Sequence, residues 1–144
     1  MKLHSVRLAT GYEISDERAR LDFDVIHRAL AQAYWAVGRL PALTQRSWNN
    51  CLGIGLYAPE GAMVGFARVL TDYALRAHLA DVFVEPSSRG AGLGKSLVRT
   101  VLDHPELATV VKWTLTTGDA HALYTLFGFR TSTDDPTWMT LDRS

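Results

Sequence analysis

The 144-residue chain contains 15 acidic and 15 basic residues, so its formal net charge at neutral pH is zero. This balance argues against a nucleic-acid partner and against a membrane surface, because both are bound through an excess of Lys and Arg. The length and the apolar content of 47% suit one soluble domain, which we expect to span residues 1–144.

The numbers and spacing of Cys and His residues limit the possible disulfides and metal sites. Cys51 is the single cysteine, which excludes an internal disulfide and a thiolate metal cluster. The five His residues show no paired ligand spacing, and we expect no metal site. The N-terminal residues lack the apolar stretch of a secretory signal, and no run is long enough to cross a bilayer. We therefore expect a cytoplasmic protein, either a monomer or a homodimer.

The N-terminal third predicts an edge strand and two helices. Residues 3–15 alternate loosely and contain a glycine, which predicts an edge strand, broken or continuous. Apolar residues recur at helical spacing over residues 22–36, and Pro41 follows as a stop signal. Thr44 is placed to cap a second helix that runs to about Asn50.

The rest of the chain predicts a hairpin, a central strand and further alternating elements. Apolar runs at residues 52–58 and 62–70 flank a Pro-Glu-Gly turn, which predicts a β-hairpin. Residues 75–84 predict the central strand, and an apolar stripe predicts a helix from Leu93 to about Asp103. The remaining predicted elements are a strand over residues 110–115, a short helix that Asp119 caps and Gly128 ends, and closing strands over residues 129–131 and 137–141.

Residues 81–98 carry the strongest functional signal. An apolar strand leads into a glycine-rich loop, which opens into a helix, and such loops hold phosphates with backbone N–H groups and a helix N-terminus. The spacing excludes a P-loop, because Arg89 stands where its first glycine is required. It also excludes the dinucleotide fingerprint, because Lys95 or Leu97 replaces the last glycine.

The spacing that fits is Gln/Arg-x-x-Gly-x-Gly/Ala, met by Arg89, Gly92 and Gly94. It resembles the pyrophosphate loop of the GNAT superfamily of acyl-CoA-dependent N-acyltransferases. The resemblance covers roughly residues 50–141. It implies a mixed α/β (α+β) fold with a mostly antiparallel central sheet flanked by helices, and a splayed central strand that leads into the loop and its helix.

A second stretch, residues 117–129, resembles the later family motif Asn-x-x-Ala-x-x-x-Tyr-x-x-x-Gly-Phe. The matching positions are Ala120, Tyr124, Gly128 and Phe129. Thr117 stands where the family has the Asn that contacts the pantetheine arm. In this chain that contact is either absent or made by the Thr117 hydroxyl. The resemblance implies that Tyr124 is the acid for the leaving thiolate, whereas its place in an apolar helical stripe also suits plain packing.

The resemblance also implies acetyl-CoA as the cosubstrate. The strand that ends at Val84 would pair with the pantetheine amides, and a backbone N–H near Val84 would stabilise the oxyanion. The residues that the resemblance assigns to the cosubstrate are Phe83, Val84, Arg89, Gly90, Ala91, Gly92, Leu93, Gly94, Lys95, Ser96, Thr117 and Phe127.

Several residues near the central strand are candidates for the general base, and the sequence does not decide between them. Strand alternation puts Asp81 and Phe83 on one face of the strand, and Val82 and Val84 on the other. Partial burial of the Asp81 carboxylate would raise its pKa towards neutrality. Asp81 is equally well explained as a buried carboxylate paired with Arg68 of the neighbouring strand. The ordinary pKa of a histidine is already close to neutral pH, so His78 would need a smaller shift in pKa to act as a base. The other candidates are Asp72 and Glu85.

The acceptor is expected to be a primary amine of a small molecule. The N-terminal helices supply aromatic and basic residues that could bind it, and we assign Trp35, Arg39 and Trp48 to this role. Aromatic residues in these helices are also ordinary core packing. The alternatives are a non-catalytic acyl-CoA-binding module, and an acetyltransferase that acts on a protein or peptide amine.

Overall fold

The computed structural model describes residues 3–144, in which eight β-strands form one sheet. The strands are β1 (Ser5–Arg7), β2 (Glu13–Ser15), β3 (Leu52–Tyr57), β4 (Met63–Thr71), β5 (Arg76–Val84), β6 (Lys112–Thr116), β7 (Arg130–Thr131) and β8 (Trp138–Asp142). Their order in the sheet is β1-β2-β3-β4-β5-β6-β8-β7, and neighbours are antiparallel except for β5 and β6.

Helices cover both faces of this sheet. They are α1 (Phe23–Ala31), α2 (Pro41–Asn49), α3 (Leu93–Leu102) and α4 (His121–Thr125), with short 3-10 turns at Arg18–Arg20, Tyr34–Ala36, Pro86–Ser88 and Pro105–Leu107. One apolar core lies under α3 and includes Leu97, Val98 and Val101. The other lies under α1 and α2 and includes Ile26 and Trp48. The predicted fold class is therefore confirmed.

Most predicted elements form within one or two residues of their expected limits, and the N-terminal segment differs most. The predicted edge strand is a hairpin of β1 and β2, with the turn at Gly11 (φ +89°). The helix predicted over residues 22–36 ends at Ala31, because Ala33 is extended and the chain turns towards β5. The second helix begins at Pro41, whose fixed φ and missing N–H suit a first turn, so the predicted cap at Thr44 is wrong.

The parallel pairing of β5 and β6 ends early. It runs from Arg76 opposite Lys112 to Leu79 opposite Leu115, whereas β5 continues to Val84 along β4. Beyond Leu79 the two strands diverge, and the space between them is not filled by another strand of the described chain.

A β-bulge lies at this divergence. The register shifts between Phe66 and Arg68 of β4, so that Asp81 and Val82 of β5 lie opposite one residue. Asp81 has φ +50°, in the left-handed region that non-glycine residues rarely adopt. The structure therefore holds a strained backbone at the centre of the sheet.

The bulge also changes which side chains face which core. Leu79 packs under α3 before the bulge, and Val82 and Val84 do so after it. Phe83 packs on the opposite face, in the core under α1 and α2. The prediction that Val82 and Val84 lie on the face opposite to Phe83 is confirmed. Within residues 3–144, none of the helices has the length and apolar character needed to span a bilayer.

Candidate functional site

A cleft of about 340 Å³ opens where β5 and β6 diverge. Its walls come from the connection between α1 and α2, from β4 and β5, and from the segment that joins β6 to α4. The lining residues are Tyr34, Trp35, Arg39, Arg68, Leu70, His78, Leu79, Ala80, Asp81, Val82, Thr116, Thr117, Asp119, Ala120 and Tyr124. The cleft thus brings together six predicted site residues, which are Trp35, Arg39, His78, Asp81, Thr117 and Tyr124.

Asp81 accepts three hydrogen bonds at one wall of the cleft. Its Oδ1 accepts from Trp35 Nε1 at 2.9 Å, and its Oδ2 accepts from Arg39 Nη1 and from Arg68 Nε, both at 2.8 Å. The carboxylate is almost fully buried, with 1% of its side chain exposed. Two guanidinium groups and an indole therefore hold one charged carboxylate, and they connect the α1–α2 segment to β4 and β5.

The expected rise in the pKa of Asp81 is wrong. Burial alone would raise this pKa, but the hydrogen bonds and charges of Arg39 and Arg68 outweigh it and hold the pKa of Asp81 below its ordinary value. A carboxylate in this environment stays ionised and is a poor proton acceptor at neutral pH. Asp81 therefore fits the paired interpretation better than that of a general base.

His78 also lines the cleft, on the stretch of β5 that still pairs with β6. Its Nδ1 is 2.7 Å from the Thr114 hydroxyl, and its ring is 5.7 Å from that of Trp138. Burial, and then the positive charge of Arg68, lower the pKa of His78 below its ordinary value. The ring is therefore neutral at neutral pH and able to accept a proton.

The other two candidate bases do not line the cleft. Asp72 accepts hydrogen bonds from the backbone N–H groups of Ala74, Leu75 and Arg76, and so closes the turn before β5. Glu85 accepts from the hydroxyl of Ser87 at the start of the glycine-rich loop. Both carboxylates are used by local turns.

Tyr124 lies on the opposite side of the cleft, on α4. The residue is 6% exposed, its ring packs edge-on against Phe129 at 5.9 Å, and no hydrogen bond among the described residues engages its hydroxyl. Burial, followed by the charges near Tyr34 and Asp119, raises the pKa of Tyr124 well above its ordinary value. The phenol therefore stays protonated and can donate a hydrogen bond into the cleft.

Thr117 and Tyr34 organise the segment before α4. The Thr117 hydroxyl accepts from Ala120 N at 3.0 Å, so Thr117 satisfies the start of the short helix and the predicted Asp119 cap is wrong. The Tyr34 hydroxyl accepts from Gly118 N at 2.7 Å and donates to Asp119 Oδ1 at 3.3 Å. Tyr34 thus bridges the mouth of the cleft. The sequence gives no signal for this bridge, because its partners are more than 80 residues apart.

The glycine-rich loop has the geometry of an anion cradle. Gly90 and Gly92 have φ +92° and +73°, and a Cβ at either position would meet nothing within 4 Å. Gly92 is the N-cap of α3, and no side chain caps that helix. The N–H groups of Leu93, Gly94 and Lys95 form no hydrogen bond among the described residues, and such groups at a helix N-terminus are available to an anion.

The end of β5 offers backbone groups next to this cradle. Glu85 N donates to Val64 O at 2.8 Å, so the N–H and C=O of the preceding residue, Val84, point away from β4. Arg89 Nε donates to Val84 O at 2.7 Å. The Val84 N–H is left facing the side where β6 has diverged, as the predicted pairing with a pantetheine arm requires.

The other residues predicted to bind the cosubstrate differ in their exposure and in their contacts. Lys95 is exposed in the first turn of α3, whereas Leu93 is 3% exposed and offers only its backbone. Phe127 is partly buried, and the Arg99 guanidinium lies 4.7 Å from its ring centre. The structure brings Ala91 and Ser96 to the same loop and helix turn but gives their side chains no contact with the cleft.

Trp48 does not reach the cleft. The residue is 0% exposed, packs edge-on against Phe66 at 5.6 Å, and its indole nitrogen has no hydrogen-bond partner among residues 3–144. The predicted contact of Trp48 with an acceptor is therefore wrong, because the α2 face that carries it is turned into the core. A larger cavity of about 650 Å³ lies elsewhere, beside Asp16, Arg18 and Cys51, and contains none of the predicted site residues.

Comparison with known proteins places these features in a family. The acetyltransferase (GNAT) family model matches residues 22–129. A GNAT-family protein from Xanthomonas campestris pv. campestris is 41% identical, with 85% of this chain and 86% of that chain covered and a TM-score of 0.80. The family match includes both the glycine-rich loop and the segment that carries Tyr124.

Two further relatives are more distant or match over less of the chain. The GNAT family N-acetyltransferase YhbS from Escherichia coli, solved in complex with CoA, is 21% identical, with 98% of this chain and 86% of that chain covered and a TM-score of 0.73. At this identity it shows the fold alone. GCN5-related N-acetyltransferase 2, chloroplastic, from Arabidopsis thaliana is 40% identical over 50 residues. That match spans 35% of this chain and 19% of the plant protein.

Proposed function

The chain belongs to the GNAT acetyltransferase family, and from this premise we propose that it transfers the acetyl group of acetyl-CoA to a primary amine of a small molecule. The observation that carries the proposal is the position of the anion cradle at the end of β5. It lies next to a cleft that contains a neutral imidazole on one side and a protonated phenol on the other.

Acetyl-CoA would be bound by backbone groups more than by side chains. The N–H groups at the start of α3 and of the loop residues 90–94 would hold the pyrophosphate, and Lys95 would add a mobile positive charge. The Val84 N–H would pair with the pantetheine arm or stabilise the oxyanion as the thioester carbonyl becomes tetrahedral. The open space around Gly90 and Gly92 and the divergence of β5 from β6 support this assignment.

His78 would be the general base. With Nδ1–H donating to the Thr114 hydroxyl oxygen, Nε2 keeps a lone pair that can take a proton from the acceptor ammonium, and the neutral amine can then attack. Its lowered pKa keeps this nitrogen unprotonated at neutral pH, and its place in the cleft supports direct or water-mediated contact with the acceptor. Asp81 would stay ionised and would hold Trp35 and Arg39 in position.

Tyr124 would assist the departure of the thiol. The neutral amine nitrogen forms a bond to the thioester carbon, and the carbon–sulfur bond breaks. The sulfur takes a proton from Tyr124 and leaves as the CoA thiol, while the second amine proton passes to solvent and solvent returns a proton to Tyr124. A phenol with a raised pKa donates a hydrogen bond to the developing thiolate more readily than it surrenders its proton. Tyr124 would therefore stabilise the thiolate first and transfer a proton only as the thiol leaves.

The proposal is tested by incubating the purified protein with acetyl-CoA and panels of small amines, while the free thiol of CoA is measured. Release of thiol that depends on the amine, with an acetylated amine detected by mass spectrometry, is the expected result. Acetyl-CoA binding without transfer to any small amine, peptide or protein would indicate a non-catalytic binding module. Absence of binding to CoA in calorimetry would refute the cradle, and with it the whole proposal.

A further inference from the structure

The wall of the cleft carries one positive charge more than its carboxylate can neutralise. Arg39 and Arg68 both donate to the same oxygen of Asp81, Oδ2, while Oδ1 is taken by Trp35. Two guanidinium charges therefore share one carboxylate charge in a site that is largely withdrawn from solvent. An anion that entered the cleft would be attracted to this excess charge.

Arg39 is the guanidinium that an incoming molecule can reach. One-quarter of its side chain is exposed, against 12% for Arg68. Its Nη1 donates to Asp81, whereas its other guanidinium nitrogens form no hydrogen bond among the described residues. Arg68 also donates to the Cys51 sulfur at 3.5 Å. A guanidinium held by one edge presents its remaining N–H groups in a fixed fork, which suits a carboxylate.

Apart from Asp81, the chain segments next to Arg39 carry little negative charge. Residues 25–59, which include α2 and all of α1 except its first two residues, contain three Arg residues and no Asp or Glu. The second carboxylate of the cleft, Asp119, is exposed and lies at the mouth beside the Tyr34 hydroxyl. The positive charge is also close to the proposed base, because the charge of Arg68 contributes to the lowered pKa of His78.

We propose that the acceptor is a small primary amine that also carries a carboxylate, as amino acids do, and that Arg39 binds this carboxylate beside the indole of Trp35. The inference rests on the proposed acetyl transfer and names the class of its acceptor. A volume of about 340 Å³, which must also admit the acetyl end of the cosubstrate, favours such a small molecule over a folded protein segment. The amine would lie towards His78, and the carboxylate towards the α1–α2 connection.

The test compares matched pairs of amines that differ in the carboxylate alone, such as phenylalanine with phenethylamine and tryptophan with tryptamine. We expect kcat/KM of the wild-type protein to be about tenfold or more higher for the carboxylated member, the range of a charged hydrogen bond. In Arg39→Met this ratio should fall towards one. Arg46→Met removes a positive charge from an exposed position on α2 outside the cleft and should preserve the ratio.

A wild-type ratio of one or less in every pair, or a ratio that survives Arg39→Met, would overturn the inference. Calorimetry of the same amines with the CoA-loaded protein separates the two proposals if no thiol is released. Carboxylate-dependent binding that Arg39→Met removes would then support the anion site while acetyl transfer fails. Absence of both turnover and carboxylate-dependent binding would refute the anion site as well.

Discussion

His78 Nδ1 lies 2.7 Å from the Thr114 hydroxyl, across the parallel pair of β5 and β6. The contact orients the imidazole and, with Thr114 as acceptor, leaves Nε2 with a free lone pair. We expect His78→Gln to lower kcat/KM by about 10²-fold or more, as loss of a general base does, without changing CoA affinity. Thr114→Val should have a smaller effect in the same direction, because it removes the orienting contact alone.

The pH profile provides an independent check on His78. Because its folded-state pKa lies below the ordinary value of about 6.5, the active neutral form is present at neutral pH and is lost as the pH falls through the lowered pKa. We expect an acidic limb in kcat/KM below about pH 6.5 that disappears in His78→Gln. The limb at high pH that reports the acceptor amine should remain. An acidic limb that persists in His78→Gln would assign the base elsewhere.

Tyr124→Phe removes a hydroxyl without altering the packing of the ring. We expect turnover to fall by about 10²-fold while CoA affinity and the free energy of unfolding stay nearly constant, since this hydroxyl has no protein partner among the described residues. Tyr57→Phe is the matched control, because Tyr57 packs in the core under α1 and α2. Equal turnover in the Tyr124→Phe protein and the wild type would show that Tyr124 only packs in the core and does not assist the leaving thiol.

Gly92→Ala tests the cradle through its backbone. A Cβ at this position meets no neighbour within 4 Å, so the cost is that of φ +73°, about 1 kcal/mol in the free energy of unfolding. Relaxation of that strain would redirect the N–H groups, and we expect weaker binding of CoA in calorimetry. Gly61→Ala, in the turn between β3 and β4 at φ +101° and equally open, should lower stability similarly but leave CoA binding intact.

Asp81→Asn separates a structural carboxylate from a catalytic one. We expect the free energy of unfolding at pH 7 to fall by about 3 kcal/mol, because two largely buried guanidinium groups lose their counter-charge. The folded-state pKa of Asp81 is lowered, so its stabilisation is complete above the ordinary pKa and is lost as the pH falls through the folded value. Urea denaturation should therefore show a difference between the two proteins that shrinks below about pH 4.

The matched control for this experiment is Asp142→Asn. Asp142 forms an ion pair with Lys112 at the surface, and its removal should change stability little. If Asp81 were the general base, Asp81→Asn would abolish the acidic limb of kcat/KM, whereas we expect that limb to persist with the residual activity.

The sequence was sufficient for the features that depend on neighbouring residues. Arg89, Gly92 and Gly94 predicted the loop by spacing alone, and family membership and the mixed sheet are both confirmed. The apolar runs at residues 52–58 and 62–70 correctly predicted β3 and β4, because an alternating or continuous apolar pattern is a local property of a strand.

Features that depend on distant residues could not be predicted in the same way. The pKa of Asp81 had the wrong predicted direction because Arg39 and Trp35, 42 and 46 residues away, reach it only after α1 ends early. The burial of Trp48 depends on which face of α2 turns inwards, and its apolar pattern did not decide this. His78 was a candidate by residue type, but its partner Thr114 follows from strand register alone.

The bulge at Asp81 and Val82 divides β5 into two halves. Odd-numbered residues face the core under α3 before the bulge, and even-numbered residues face it afterwards. If all the residues of β5 were kept and alternated regularly, Leu79 and Phe83 would lie four positions apart on one face and would compete for the same core. With the bulge in place, the half that ends at Leu79 can be repacked against α3 without turning the half that leads into the loop. The position of His78 and the backbone groups near Val84 can therefore be engineered, or can diverge in evolution, on separate halves of one strand.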